Sequence, residues 1–145
     1  MNQTTNTIVM IRPVAFRMNE QTVVNNHYQK VIEGLLPATV NAKAQAEFDA
    51  YIEKLRAVGI NVIVIDDTVE PDTPDSVFPN NWISFHENGD IALYPMFAEN
   101  RRLERREDIF DILEEKGFQI NDIMDYTSAE EDGIFLEGTG SIILD

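Results

Sequence analysis

Residues 71–106, PDTPDSVFPNNWISFHENGDIALYPMFAENRRLERR, carry the side chains best suited to chemistry on a small ligand. Asp75 offers a counter-charge for an ammonium group, and Asn80 and Asn81 each offer a donor and an acceptor. Arg101 and Arg102 open a predicted helix, where a free carboxylate would meet both cations and unsatisfied N–H groups. Together these groups complement a small zwitterion. Each also has an ordinary explanation. Asp and Asn favour turns, and exposed arginines on a helix pair with neighbours such as Glu104 or Glu107 for little gain. Further on, Glu137 follows two large apolar residues and precedes Gly138-Thr139-Gly140. A carboxylate there is expensive to bury without a partner; it belongs either to a site or to an exposed hairpin. His27 and His86 lack ligand-like spacing, so no metal is expected and no cofactor is implied.

The surrounding secondary structure follows from periodicity. Residues 7–12 (TIVMIR) and 60–65 (INVIVI) read as buried strands. Residues 16–29 are polar, a loop or a short helix capped near Asn25. Residues 41–58 place Ala44, Phe48, Tyr51, Ile52 and Leu55 at helical spacing, with Phe48 and Tyr51 in the core, and Gly59 ends that helix. The acidic, proline-punctuated residues 66–79 read as a solvated connection. Residues 82–85 and 91–94 flank Asn88-Gly89, a strong hairpin signal. A helix is predicted over 101–116 with Leu103, Ile109, Phe110, Ile112 and Leu113 inward. Gly117 closes it, strands follow at 118–123 and 134–137, and a further strand at 141–144 lies beyond Gly138-Thr139-Gly140.

An internal repeat emerges. LRAVGINV (residues 55–62) is echoed by LEEKGFQI (residues 113–120), each glycine ending a helix and opening a strand. The implied unit is strand–strand–helix–strand, seen about twice with a third begun at Ile134. Repeats of one supersecondary unit imply a propeller-like array sharing its core between neighbours. An array left open exposes strand edges, so the 145 residues read as part of a longer protein, with edges that a second copy could cover in a homo-oligomer.

Bulk properties narrow the partners. Eleven basic against 26 acidic residues give a formal charge of −15, which argues against nucleic acid. With no cysteine there are no disulfides, thiolate metal sites or thiolate nucleophile in these residues. The N-terminus lacks the basic and apolar regions of a signal peptide. No apolar run approaches the ~20 residues that span a bilayer. A cytoplasmic protein with no membrane partner is expected.

The motifs PDSVFPNNW, ENRRLERR and LEGTGS resemble the guanidino-group-modifying superfamily of arginine deiminases, amidinotransferases and dimethylarginine dimethylaminohydrolases. The resembling segments, residues 8–26, 74–106 and 135–145, spread over nearly the full chain, which is most similar to the citrulline-utilisation hydrolases. The resemblance implies a five-bladed pentein α/β propeller, of which residues 1–145 would be the N-terminal portion, about two and a half ββαβ units in a single domain. It implies that Asp75 binds the substrate ammonium and that Asn81 grips the guanidino or ureido group. Arg101, or Arg102 by a one-residue shift, would bind the substrate carboxylate. Glu137 would be the catalytic carboxylate, and residues 16–25 would match a loop that folds over the site in relatives.

Two departures shape the expected function. Deiminases have aspartate where this chain has Asn81, and a carboxamide suits a neutral ureido group better than a cationic guanidinium. The family's cysteine and histidine lie in later units. The expectation is therefore the N-terminal part of a hydrolase converting citrulline to ornithine, ammonia and carbon dioxide, inactive alone. Arginine deimination or amidino transfer is the alternative within the fold, and a non-catalytic half-propeller binding module is the alternative outside it.

Overall fold

The structure, a computed structural model, describes residues 5–24, 34 and 36–138. The chain forms two compact units, residues 1–78 and 79–145, each with its own small sheet.

The first unit is a β-α-β crossover. Strand β1 (Thr7–Arg12) pairs in parallel with β2 (Asn61–Asp66), Ile8 facing Val62 and Ile11 facing Ile65. Parallel neighbours need a long connection, supplied here by α1 (Pro37–Ala57). Pro37 is accommodated at the first turn, where its missing N–H costs nothing. Phe48 and Ile52, one helical turn apart, pack on Val62 with Ile8, Met10 and Leu55 around them. Tyr51 corrects the expectation of a core residue: it is 53% exposed, because the buried stripe runs through 48, 52 and 55 and position 51 falls on its edge. Gln45 Nε2 donates to Pro13 O (2.8 Å) and Asn41 Oδ1 accepts from Phe16 N (3.0 Å), tying the segment after β1 to α1. The remainder of the predicted polar segment, from Asn25 onward, lies outside the described residues.

The second unit is built on the hairpin β3 (Ile83–Phe85) and β4 (Asp90–Leu93), joined in antiparallel register with β5 (Asp122–Asp125) added in parallel to β4. Trp82, Ile91, Met96 and Ile109 are almost completely enclosed and form its core. Gly89 turns the hairpin at φ +84°, and a Cβ there would overlap Gln119 O and the Asn121 side chain. Asn121 N also donates to Gly89 O (3.0 Å).

The helix expected over 101–116 is two helices, α2 (Glu99–Arg102) and α3 (Asp108–Glu115). The acidic pair Glu107-Asp108 starts a new N-terminus, which favours negative charge. Arg106 folds onto Asp108 with two hydrogen bonds (3.0 and 2.5 Å). Ile109 and Leu113 are buried as expected, whereas Leu103, in the break, is 53% exposed. The strand expected over 118–123 begins four residues later, because Phe118 is spent closing the helix end and Asn121 on the hairpin turn. Residues 134–137 are not a strand: among the described residues their backbone N–H groups bond from Ile134 to Ala129 O (3.0 Å) and from Leu136 to Pro95 O (3.0 Å), with no strand partner. The strand expected at 141–144 lies outside the described residues.

The repeat survives as a pair of matching helix ends. Gly59 N donates to Arg56 O and Ile60 N to Leu55 O; Gly117 N donates to Glu114 O and Phe118 N to Leu113 O. Both are Schellman caps, with the glycines at φ +87° and +89°. A ββαβ order, with its helix in two pieces, is complete once among the described residues, in the second unit. The two sheets are open rather than closed into a barrel. Among the described residues no helix is long and apolar enough to cross a membrane.

Candidate functional site

In the first unit the predicted residue is Asp75. The loop that holds it is not the solvated connection expected from its composition: Thr73, Pro74, Asp75 and Ser76 are buried. Asp75 Oδ2 accepts from Asn19 Nδ2 (2.8 Å) and Thr22 Oγ1 (3.1 Å), and Asn19 is itself fully enclosed. Ser76 Oγ donates to the buried Asp67 at 2.5 Å. Hydrogen bonds of this kind offset the cost of taking a polar side chain out of water. Asn19 and Thr22 sit in a turn whose amides at Thr22 and Val23 donate to Asn19 O, so the buried acid fixes the loop after β1.

Arg17 closes the rim of this arrangement with a two-point pair to Asp72, at 2.7 and 2.6 Å. The hydrogen bonds to Arg17 hold the Asp72 carboxyl below its ordinary value of 3.8. A carboxyl depressed in the folded state contributes stability above its unfolded value, and the contribution is lost as pH falls through the lower folded value. The pair is largely exposed, so the expected loss in Asp72→Asn is at most about 1 kcal/mol at neutral pH. In denaturant melts that deficit should shrink as the pH falls through the lowered folded value and vanish once both wild-type states bind the proton.

In the second unit three of the predicted residues converge. The 3-10 turn Pro79–Asn81 carries Asn81 into β3, α2 carries Arg101, and Glu137 follows the Pro95-bonded segment. Arg101 Nη1 donates to Asn81 Oδ1 (3.0 Å) and lies 4.0 Å from Glu137 Oε2. Its other two nitrogens, Nε and Nη2, donate to Glu104 Oε1 (2.9 Å) and Oε2 (3.1 Å). The Arg101 and Glu104 side chains are 6% and 1% exposed, so this is a buried fork rather than the solvated helix pair that the sequence allowed. Because a guanidinium only donates, it fixes the flip of the Asn81 carboxamide, oxygen toward Arg101 and NH2 away. Gly138 lets this happen: a Cβ there would fall far inside contact distance of Asn80 O and 3.3 Å from Asn81 O.

Arg102 is not part of that cluster. Its Nε donates to Met96 O (2.9 Å), its Nη2 to Phe97 O (3.2 Å), and its guanidinium lies 5.8 Å from the centre of the Phe135 ring. Arg102 and Arg105 both pair with Glu130, which also accepts from Met96 N (2.7 Å). This three-way anchor on one carboxylate was not foreseen from the sequence, which marks Glu130 only as one of several acids in a loop. An acidic cleft lies beside it, lined by Arg102, Asp125, Thr127, Ser128, Glu130 and Glu131. Among the described residues no three His, Asp or Glu side chains converge as a metal site requires.

The architecture is that of a mixed α/β protein in which Asn81, Arg101 and Glu137 form a polar, charged cluster. The sequence matches the family described as N,N dimethylarginine dimethylhydrolase, eukaryotic, over residues 12–145, and the chain belongs to that family. This is in keeping with the resemblance to the guanidino-group-modifying superfamily, whose hydrolases cleave C–N bonds. No curated protein and no solved structure matches the chain.

Proposed function

We propose that this chain is the substrate-recognising portion of a pentein-fold hydrolase that cleaves a C–N bond of a linear ureido or guanidino amino acid, with citrulline as substrate. The family match supports the reaction class. The orientation of Asn81 supports the substrate: with its oxygen occupied by Arg101, it turns an N–H donor outward. A ureido oxygen accepts such a bond, whereas a guanidinium carries no acceptor. Glu137 then accepts from the terminal ureido NH2. By the resemblance, Arg101 or Arg102 takes the substrate carboxylate, with Arg102 the more exposed of the two. A cysteine outside these residues attacks the ureido carbon, ammonia leaves, and water releases a carbamate that loses carbon dioxide to give ornithine.

The test is calorimetric titration of the chain with L-citrulline, L-arginine and dimethyl-L-arginine. Citrulline should bind most tightly, and Asn81→Asp should reverse its preference over arginine. An Asn81→Asp chain that keeps wild-type affinity for citrulline sinks the assignment. The second reading is a methylated arginine, which the family description and the negative charge of Glu137 favour. It requires dimethylarginine to bind best and Glu137→Gln to abolish that advantage.

A further inference from the structure

We infer that Glu104 is a positioning residue that sets ligand preference through Arg101 and Asn81. The inference rests on the proposed role of Asn81 and extends it to a residue that touches no ligand. A guanidinium has three edges from which it can donate, and its orientation is decided by which of them are claimed. Glu104 claims Nε and Nη2 with both carboxylate oxygens, a planar two-point contact that fixes the direction of the whole group. The remaining nitrogen, Nη1, is thereby aimed at Asn81 Oδ1 (3.0 Å), with Glu137 Oε2 at 4.0 Å. Stability alone is a weak reason for such a pair, because desolvation offsets most of the attraction between two buried charges. A fixed direction is something an apolar replacement could not supply.

Among the described residues, two carboxylates compete for this arginine, and they differ in burial. Glu104 is enclosed, and Glu137 is about one-third exposed. While Glu104 holds the fork, Glu137 stays beyond hydrogen-bond distance and keeps its oxygens for a ligand. When one Glu104 oxygen is replaced by an NH2, the new donor opposes the guanidinium, and Arg101 swings the short distance to Glu137. That movement releases the Asn81 oxygen and neutralises Glu137 together. The carboxamide is then free to flip, and it presents either face to a ligand.

The experiment compares wild type with Glu104→Gln and Glu104→Asp in the full chain. Glu104→Asp keeps the charge but is one methylene too short to hold both nitrogens, and it serves if Glu104→Gln does not fold. The first readout needs no ligand: the Asn81 side-chain NH2 resonances, identified by their loss in Asn81→Ala. They should shift and broaden in the Glu104 variants but not in Ile109→Val, a core control in α3. The second is the affinity ratio of citrulline to arginine, which should fall at least tenfold in Glu104→Gln and partly recover in Glu104→Asp. Unmoved Asn81 resonances in a folded Glu104 variant overturn the inference and leave the proposed substrate standing. Moved resonances in a chain that binds neither amino acid uphold the positioning and overturn the substrate.

Discussion

Arg101→Ala is expected to destabilise the second unit by about 3–5 kcal/mol, because it strips the principal counter-ion from a carboxylate that is almost wholly enclosed. In urea, with a slope of about 1–3 kcal/mol/M, the midpoint should fall by at least about 1 M. A unit of this size has little more stability than that to lose. Much of the Arg101→Ala population should therefore show collapsed amide dispersion for residues of β3, β4 and β5, while the signals of β1 and β2 persist. The prediction separates two roles for the same side chain. An arginine that only received a substrate carboxylate would face solvent, and its removal would weaken binding while leaving the melt within about 0.5 kcal/mol of wild type. A buried fork predicts the reverse order of effects, stability first. Arg102→Ala is the companion measurement: its side chain is partly exposed and bonds to carbonyls, so its loss should be the milder of the two. A wild-type urea midpoint for Arg101→Ala would return Arg101 to a purely ligand-facing role.

How far the sequence foretold this arrangement depends on the range of the forces involved. Local signals were legible. Continuous β-branched runs gave β1 and β2, Asn88-Gly89 gave the β3–β4 turn, and Gly59 and Gly117 gave both helix ends. Each rests on backbone sterics within a few residues. The break between α2 and α3 was missed because the apolar spacing continues across it, and the competing start signal at Glu107-Asp108 looks like two more surface acids. The register of β5 was missed for a non-local reason, since Asn121 bonds to Asn88 O (2.5 Å) thirty-three residues away.

Within the Asn81–Arg101–Glu137 cluster, the residue types were legible but their burial was not. The spacing of Arg101 and Glu104 suits an ordinary exposed helix pair, and nothing in RRLER says that the first arginine turns inward while the second lies along Phe135. The same holds for Asp75, whose partners Asn19 and Thr22 are more than fifty residues distant. A composition rich in acids and prolines reads as solvated until the donors that satisfy it are known. Long-range pairing of polar groups leaves almost no trace in the local pattern, whereas long-range packing of apolar groups leaves a periodicity.

Gly138→Ala is expected to weaken ligand binding at least tenfold, about 1.4 kcal/mol, and to lower stability by about 1–3 kcal/mol. The cause is steric. No positive φ is required at Gly138, unlike Gly133 at φ +69°, so the backbone tolerates alanine and only the space does not. The added methyl group would drive into Asn80 O and press on Asn81 O, and one of the two segments must retreat. The 79–81 turn is held by Trp82 N bonding to Pro79 O, by the enclosed Trp82 ring and by Arg101 on Asn81. Among the described residues, 134–137 are held by two backbone bonds, Ile134 N to Ala129 O and Leu136 N to Pro95 O, and by the contacts of Phe135 with Phe97 and Arg102, with no buried side chain as anchor. The less anchored segment moves, and it is the one that carries Glu137. Gly133→Ala supplies the contrast, because its site is open and only the left-handed backbone is strained, at about 1 kcal/mol. Both variants should therefore lose stability by comparable amounts, and only Gly138→Ala should lose citrulline affinity and shift the Asn80 and Asn81 amide resonances. If the two variants bind citrulline equally well, the close approach of Gly138 to the Asn80–Asn81 backbone has no part in recognition, and Glu137 must be placed by something else.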